Sequence, residues 1–229
     1  MKKPVIAIDG ASGTGKSTIS KRLASSHDLN YIDTGAIYRS IALLVDRRKI
    51  ELVEGSEELR NLCMGLELRF EFKNGENRVF LSSEDVSQEI RSPEISMLAS
   101  RVSALKVVRD TLLSIQRRLA EETQKLATVA DGRDMGTVIF PYSPLKIFLK
   151  ASDKVRAKRR YDELIEKGMS VDPDRIFEET VKRDRQDSTR SIAPLRKAED
   201  AIEIDTDGLS IDEVLAKIEK LIADKGFLK

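Results

Sequence analysis

Residues 10–17 read GASGTGKS, a match to the pattern G-x-x-x-x-G-K-[ST]. Each residue type in it has a use in holding phosphate. Gly10, Gly13 and Gly15 free the backbone to wrap its N–H groups around anionic oxygens, together with those of Ala11, Ser12 and Thr14. A helix that starts here turns its positive end toward the same anion. Lys16 can then reach the outer phosphates and Ser17 can bind magnesium, with Thr18 beside them in the first helical turn. The expected ligands along Gly10–Thr18 are a nucleoside triphosphate and Mg2+. The motif leaves the phosphate acceptor unnamed.

A second arrangement, TVADGRDMGTVIF at residues 128–140, sets Arg133 between Asp131 and Asp134 directly after an apolar run. Such charge is costly in a core and has no plain use on a surface. Asp131 is the candidate for holding the water shell of the magnesium; its structural alternative is a turn or capping aspartate before Gly132. Asp33 has a similar, weaker claim. Arginines recur at places expected to surround the phosphate loop: Arg39, Arg133, and the trio Arg183, Arg185 and Arg190. Residues 150–197 hold 14 basic and 10 acidic residues, a surplus of four in a chain whose net charge is only +1. Two phosphate groups brought together repel, and planar guanidinium groups grip their oxygens while neutralising them. The alternative for any one of these arginines is a solvated helical face with ion pairs along the helix.

Two classes of function fit: a small-molecule kinase, or a switch-type or mechanical nucleoside triphosphatase. No N-K-x-D element that would read guanine is present, and only ATVAD resembles a metal-fixing strand. That segment runs straight into Arg133 and Asp134, which suits an acceptor better than bare hydrolysis. With 40 basic against 39 acidic residues, no global field recruits nucleic acid. The single cysteine, Cys63, rules out an internal disulfide and reads as a packing residue. His27, the only histidine, suits a helix end, so a zinc site is not expected. No run approaches the roughly 18 apolar residues of a membrane span, and the N-terminal apolar stretch is too short for a signal peptide. A cytoplasmic setting is expected.

The elements that must position these residues follow from periodicity. PVIAID (residues 4–9) reads as a strand, KSTISKRLASSH as a helix, LNYID (29–33) as a second strand, and TGAIYRSIALLVDRR as a helix with Ile37, Ile41, Leu44 and Val45 on one face. LELRFEF (66–72) alternates, KNGE supplies an Asn74-Gly75 turn, and NRVFLSS returns, giving a hairpin. Helical spacing resumes from Ser92 and Pro93 to about residue 124. LATVAD and LKIFLKA are buried strands, residues 152–190 are helical with a fresh start at Asp172 and Pro173, and AIEID is a last strand. The final helix opens on the capping box Ser210 to Glu213 and closes at Gly226. The fold class expected is α/β: a five-stranded parallel sheet with helices on both faces, a β-containing insert at about 62–90 and a helical excursion at about 152–190.

Four blocks, DTGAIYR (33–39), SSEDVSQEIRSPEIS (82–96), DGRDMGTVIFP (131–141) and RDRQDSTRSIAPL (183–195), together resemble the bacterial-type cytidylate kinases, which phosphorylate CMP and dCMP with ATP. The resemblance runs over nearly the whole chain. It implies a core at about 1–35, 104–151 and 191–229, a monophosphate-binding region at about 36–103, and a lid at about 152–190. By similarity, Asp134, Ser100 and Arg109 read the base; cytosine offers an amino donor that a carboxylate accepts and ring acceptors that a guanidinium meets. Arg39, Arg133 and Arg190 would grip the acceptor phosphate, Asp187 and Arg183 the sugar, with Thr34 and Tyr38 lining the acceptor side. Lys16, Arg133, Arg183 and Arg190 form the expected catalytic set. Arg156 and Arg159 are expected on the ATP side, with Arg160 in the same lid. The chain departs from the family pattern at Thr34, commonly serine, and at Gln186 and Ser188, frequently arginine. The resemblance leaves open a broader UMP/CMP kinase, or a kinase or ATPase with another acceptor. A monomer is expected.

Overall fold

The computed structural model describes residues 3–73, 76–166, 168–226 and 228, and the Asn74-Gly75 turn lies outside them. In chain order the first elements are β1 (Val5–Gly10), α1 (Lys16–Ser26), β2 (Asn30–Asp33), α2 (Thr34–Arg48) and α3 (Glu57–Met64). Then come β3 (Leu68–Lys73), β4 (Glu76–Leu81), β5 (Glu84–Asp85), α4 (Pro93–Val102) and α5 (Lys106–Glu121). β6 (Thr128–Gly132), β7 (Leu145–Lys150), α6 (Asp153–Glu166), α7 (Pro173–Thr189), β8 (Ile202–Asp205) and α8 (Ile211–Lys225) complete the chain. A 3-10 turn occupies Glu89–Arg91 and a single π-helical turn Met135–Ile139. These elements fall into two compact units, Met1–Ile32 with Leu119–Lys229, and Asp33–Arg118.

The first unit is built on the expected five-stranded parallel sheet, in the order β2-β6-β1-β7-β8. Its central strand is apolar on both sides because both faces are covered, and Ile6, Ala7 and Ile8 are fully buried. Ile19 and Leu23 of α1 and Val214, Ile218 and Ile222 of α8 pack with Ile6, Ile8, Val129 and Ile147 into one core. α8 carries the expected capping box, Ser210 with Glu213, and ends on Gly226 in the left-handed region at φ 68. Asp172 caps α7 by accepting from Asp174 N, with Pro173 in the first turn. β1 lies between β6 and β7, so the chain crosses in opposite directions from it. Ligands of open parallel sheets bind beyond the carboxyl ends of the strands at such a reversal. The register Ile8↔Asp131 and Asp9↔Gly132 places both acids at that edge.

The second unit packs α2 against α4 and carries the antiparallel sheet β3-β4-β5. The hairpin appears as expected, with Leu68 opposite Leu81 and Phe70 opposite Val79. α3 is an element that the periodicity does not announce: EELRNLCM is two turns long, capped by Ser56 accepting from Leu59 N. Cys63 within it is fully buried, and burial pushes its thiol up to about 12, in keeping with a packing role. The helical spacing after Pro93 is broken into α4 and α5. The break is sealed by Glu54, whose carboxylate accepts from Lys106 N at 2.8 Å and Val107 N at 3.0 Å. Arg47 ties α2 to the insert through paired bonds to Glu84, 2.7 Å each, and a 2.6 Å bond to Glu89.

Candidate active site

The loop after β1 has the backbone that its glycines allow. Gly10 has φ 152, and a Cβ on it would stand 2.3 Å from the Leu149 carbonyl oxygen. Gly13 has φ 76 and lies so close to α6 that a Cβ would meet the Arg156 carbonyl at 2.8 Å. Gly15, in the left-handed region, leads into α1 without a side-chain cap. Lys16 folds back over the loop and donates to Ala11 O at 2.5 Å and Thr14 Oγ1 at 3.3 Å. Two arginines of α6 pin the outer wall of the loop. Arg156, 3 % exposed, donates to Ser12 O at 3.0 Å, and Arg159 to Gly13 O at 3.3 Å and Thr206 O at 2.8 Å. Arg156 also reaches Asp184 of α7 at 2.5 Å, while Arg160 pairs with Glu163 on its own helix.

Ser17 donates to Asp131 Oδ2 at 2.7 Å, and the Tyr31 hydroxyl donates to Oδ1 of the same carboxylate at 3.0 Å. Among the described residues no group of three or more His, Cys, Asp or Glu side chains could hold a metal by itself. One hydroxyl backed by one oriented carboxylate is nevertheless the donor set that suits Mg2+, which keeps several waters and takes phosphate oxygens as ligands. The residues present fit such an ion.

Beyond Asp131 the two charged neighbours separate onto different partners. Arg133 Nε donates to Asp187 Oδ2 at 2.8 Å, both side chains being mostly buried. Burial works against the Arg133 charge, but Asp187, Asp184 and Asp131 outweigh it and raise its hold on the proton. Burial likewise opposes the Asp187 carboxylate, and Arg133 and Arg183 bring it below the ordinary range. Asp134 is 3.8 Å from Arg190, whose Nε donates to Ala193 O at 2.7 Å. Burial and the charges of Arg133 and Arg183 press the Lys16 ammonium well below its usual value, against the pull of Asp131 and Asp9. Cations thus crowd one edge of the sheet, a charge arrangement matched to polyanions. Arg185 faces outward and takes no part in it.

Asp9 is a buried acid that the motif reading passes over. Burial, helped by the negative charge of Asp134, raises its carboxyl to about 7 despite hydrogen bonds from Gly136 and Met135 and the positive charge of Lys16. A folded pKa above the unfolded value means that the folded state holds the proton more tightly. The stability this contributes is complete below pH 3.8 and is lost as the pH rises to about 7. The margin by which the wild type exceeds Asp9→Asn in thermal midpoint should therefore shrink across that interval. Melting both proteins at stepped pH checks this, and a constant margin would contradict it.

The second unit carries its own cluster at the start of α2. Asp33 caps the helix by accepting from Ala36 N at 2.8 Å and holds Arg39 at 3.2 Å. Gly35 makes room for this, since a Cβ there would stand 2.9 Å from Arg39 Nη1. Thr34 opens the same helix with its side chain buried. Arg109, 5 % exposed, donates to Ser103 O at 3.1 Å and lies with its guanidinium 5.5 Å from the Tyr38 ring centre. Ser100 is buried on α4. His27 ends α1, 3.5 Å from Glu219, as a helix-end residue.

Two residues of these clusters, Asp9 and Tyr31, carry no motif of their own, and Asp184 lies inside the RDRQDSTRSIAPL block without a role assigned from it. Asp9 could have been found by the signal that marks Asp131, an acid closing a buried strand at the sheet edge.

The cytidylate kinase family model matches residues 6–224. A cytidylate kinase of Syntrophotalea carbinolica is 48% identical over 221 residues, 96% of this chain and 92% of its own. One of Geobacter sulfurreducens is 47% identical over 221 residues, 96% and 93% of the two chains. Among solved structures, an uncharacterized protein from Eubacterium ventriosum superposes with a TM-score of 0.50 at 17% identity, covering 97% of this chain and 99% of its own, a likeness of fold alone. No described helix is long and apolar enough to cross a membrane. With the family's pattern matched almost end to end and nearly half of all positions shared with its members, the chain belongs to the cytidylate kinase family.

Proposed function

We propose that the chain transfers the γ-phosphate of ATP to CMP or dCMP, releasing ADP and CDP or dCDP. The observation that carries this reading is the pair Arg133 and Asp134, the first mostly buried and the second buried, adjacent after β6 in the unit that bears the phosphate loop, each engaged by a different residue of the 183–190 segment. One guanidinium and one carboxylate so fixed offer a contact for a phosphate and a contact for a base amine.

ATP takes the loop Gly10–Thr18, with Lys16 on its outer phosphates. Arg156 and Arg159 serve the ATP side by holding the loop's carbonyls so that its amides stay turned inward. Mg2+ would be held by Ser17 and, through water, by Asp131, and when bound it offsets the charge of the terminal phosphates. Arg39, Arg133 and Arg190 take the acceptor phosphate, Arg183 and Asp187 the sugar, and Asp134, Ser100 and Arg109 the cytosine, with Tyr38 supporting Arg109 and Thr34 opening the helix that carries Arg39. An oxygen of the acceptor phosphate attacks the γ-phosphorus in line, forming one P–O bond as the bond to the ADP oxygen breaks. No protein nucleophile takes part, so rate comes from alignment and neutralisation. Residues 152–190 act as a lid that closes over ATP and excludes water.

Coupled ADP release measured with ATP and AMP, CMP, dCMP, UMP or GMP tests the reading. Release should depend on CMP or dCMP; equal rates with UMP would broaden the specificity, and release without any monophosphate would make the chain an ATPase.

Asp134→Ala should lower the preference for CMP over UMP by ~5 to 150-fold, the cost of one mismatched buried polar group. The KM for ATP should stay near the wild-type value. An equal loss toward both nucleotides would remove Asp134 from base reading.

A further inference from the structure

We infer that Asp9 is a positioning residue for the base-reading carboxylate: by taking the first amides of the π-helical turn onto its own side chain, it leaves Asp134 turned toward the acceptor. This rests on the assignment of Asp134 to the cytosine.

The first N–H groups of a helical turn have no partner within it. An aspartate standing just before such a turn ordinarily folds its side chain back to accept one of them. Asp134 occupies that place before Met135–Ile139, with φ −144, and makes no such bond. The donors go elsewhere. Met135 N donates to Asp9 Oδ1 and Gly136 N to Asp9 Oδ2, each at 2.8 Å, so one carboxylate at the end of β1 receives both. The approach is close because residue 136 is glycine: a Cβ there would stand 3.1 Å from Lys146 Cδ and 3.4 Å from Asp9 Oδ2. The turn is further closed by Ile139 N to Asp134 O at 3.1 Å and Phe140 N to Met135 O at 2.7 Å.

The strand register explains why Asp9 can do this. Asp9 pairs with Gly132, so its side chain starts level with the residue before Arg133 and reaches over the loop's next turn. Asp9 is 4 % exposed, and the charged groups acting on it are Asp134 and Lys16. Its strand continues directly into Gly10. One residue therefore joins the strand that opens the phosphate loop to the turn that presents Asp134. Without the Asp9 carboxylate, Asp134 would swing in as an ordinary cap on Gly136 N and leave Arg190.

A double-mutant cycle tests this, with kcat/KM for CMP and UMP measured in the wild type, Asp9→Asn, Asp134→Ala and the double variant. The isosteric Asn keeps the volume but places a donor against one of the two amides. Asp9→Asn alone should cut the CMP-over-UMP preference by ~10-fold or more, with the KM for ATP within about threefold of wild type. In the Asp134→Ala background the same change should alter the preference by less than about twofold, since the group it positions is gone. A purely structural role predicts equal losses in both backgrounds, and that result overturns the inference, as does an unchanged preference in Asp9→Asn. Should Asp9→Asn not fold, Asp9→Ser, which keeps a small acceptor, is read by the same cycle. A wild-type chain with no preference for CMP would sink the functional reading as well, whereas a preference that survives in Asp9→Asn sinks this inference alone.

Discussion

Replacing Lys16 with alanine should lower phosphoryl transfer by ~10³-fold or more, with the fold retained. The side chain is buried, and its amine spans the loop from Ala11 O to Thr14 Oγ1. No described hydrogen bond ties that amine to anything outside the loop, so its loss removes charge at the phosphates rather than a strut of the core. Burial and the cations Arg133 and Arg183 already depress its proton affinity, and alanine relieves that repulsion, which favours folding. The signature is a collapsed kcat beside a thermal midpoint at or above the wild-type value. Retained activity would overturn the assignment of ATP to this loop.

Arg190→Ala should have the second large effect, a fall in turnover of ~10³-fold, the scale of a guanidinium that stabilises a transferring phosphoryl group. Its side chain is 6 % exposed, anchored by Nε to Ala193 O, with its other end toward Asp134. With Nε anchored, a terminal nitrogen stands 3.8 Å from Asp134, and alanine removes the charge together with the anchor. Arg190→Lys should recover part of the rate, because it restores the charge without the planar fork. Steady-state turnover beside a circular dichroism melt separates the two effects. A near-normal rate in Arg190→Ala would take the residue out of the reaction.

Periodicity and punctuation were enough for the sheet, the hairpin and most helix boundaries, because each has a local cause. β1, β6 and β7 are short apolar runs buried on both faces, and Asp172-Pro173, Ser92-Pro93 and the Ser210–Glu213 box mark helix starts by chemistry within a few residues. α3 escaped because two turns give too few apolar positions to show a period. The break between α4 and α5 depends on Glu54, some fifty residues away in sequence, and no local signal reports such a cap. The π-helical turn escaped for the same reason: nothing within MGTVI announces it, and Asp9 arrives from another strand to take its amides.

The clusters were legible in proportion to how local their geometry is. The loop at 10–17 and the DTGAIYR segment are contiguous, and each places its residues within one or two turns of chain. The partners of Arg133 and Arg190 are not: Asp187 is 54 residues from Arg133, and only folding shows that Asp134 faces Arg190. Arg156 is a similar case. Only the resemblance placed it on the ATP side, since nothing in its strongly charged helix shows that the side chain turns inward to the Ser12 carbonyl.

The most direct measurement follows the phosphorus itself. With ATP labelled at the γ-position, CMP and Mg2+, the label should be recovered as the β-phosphate of CDP, one label per ADP formed. Label released as inorganic phosphate, or found in UDP in preference to CDP when equal UMP is added, would contradict it.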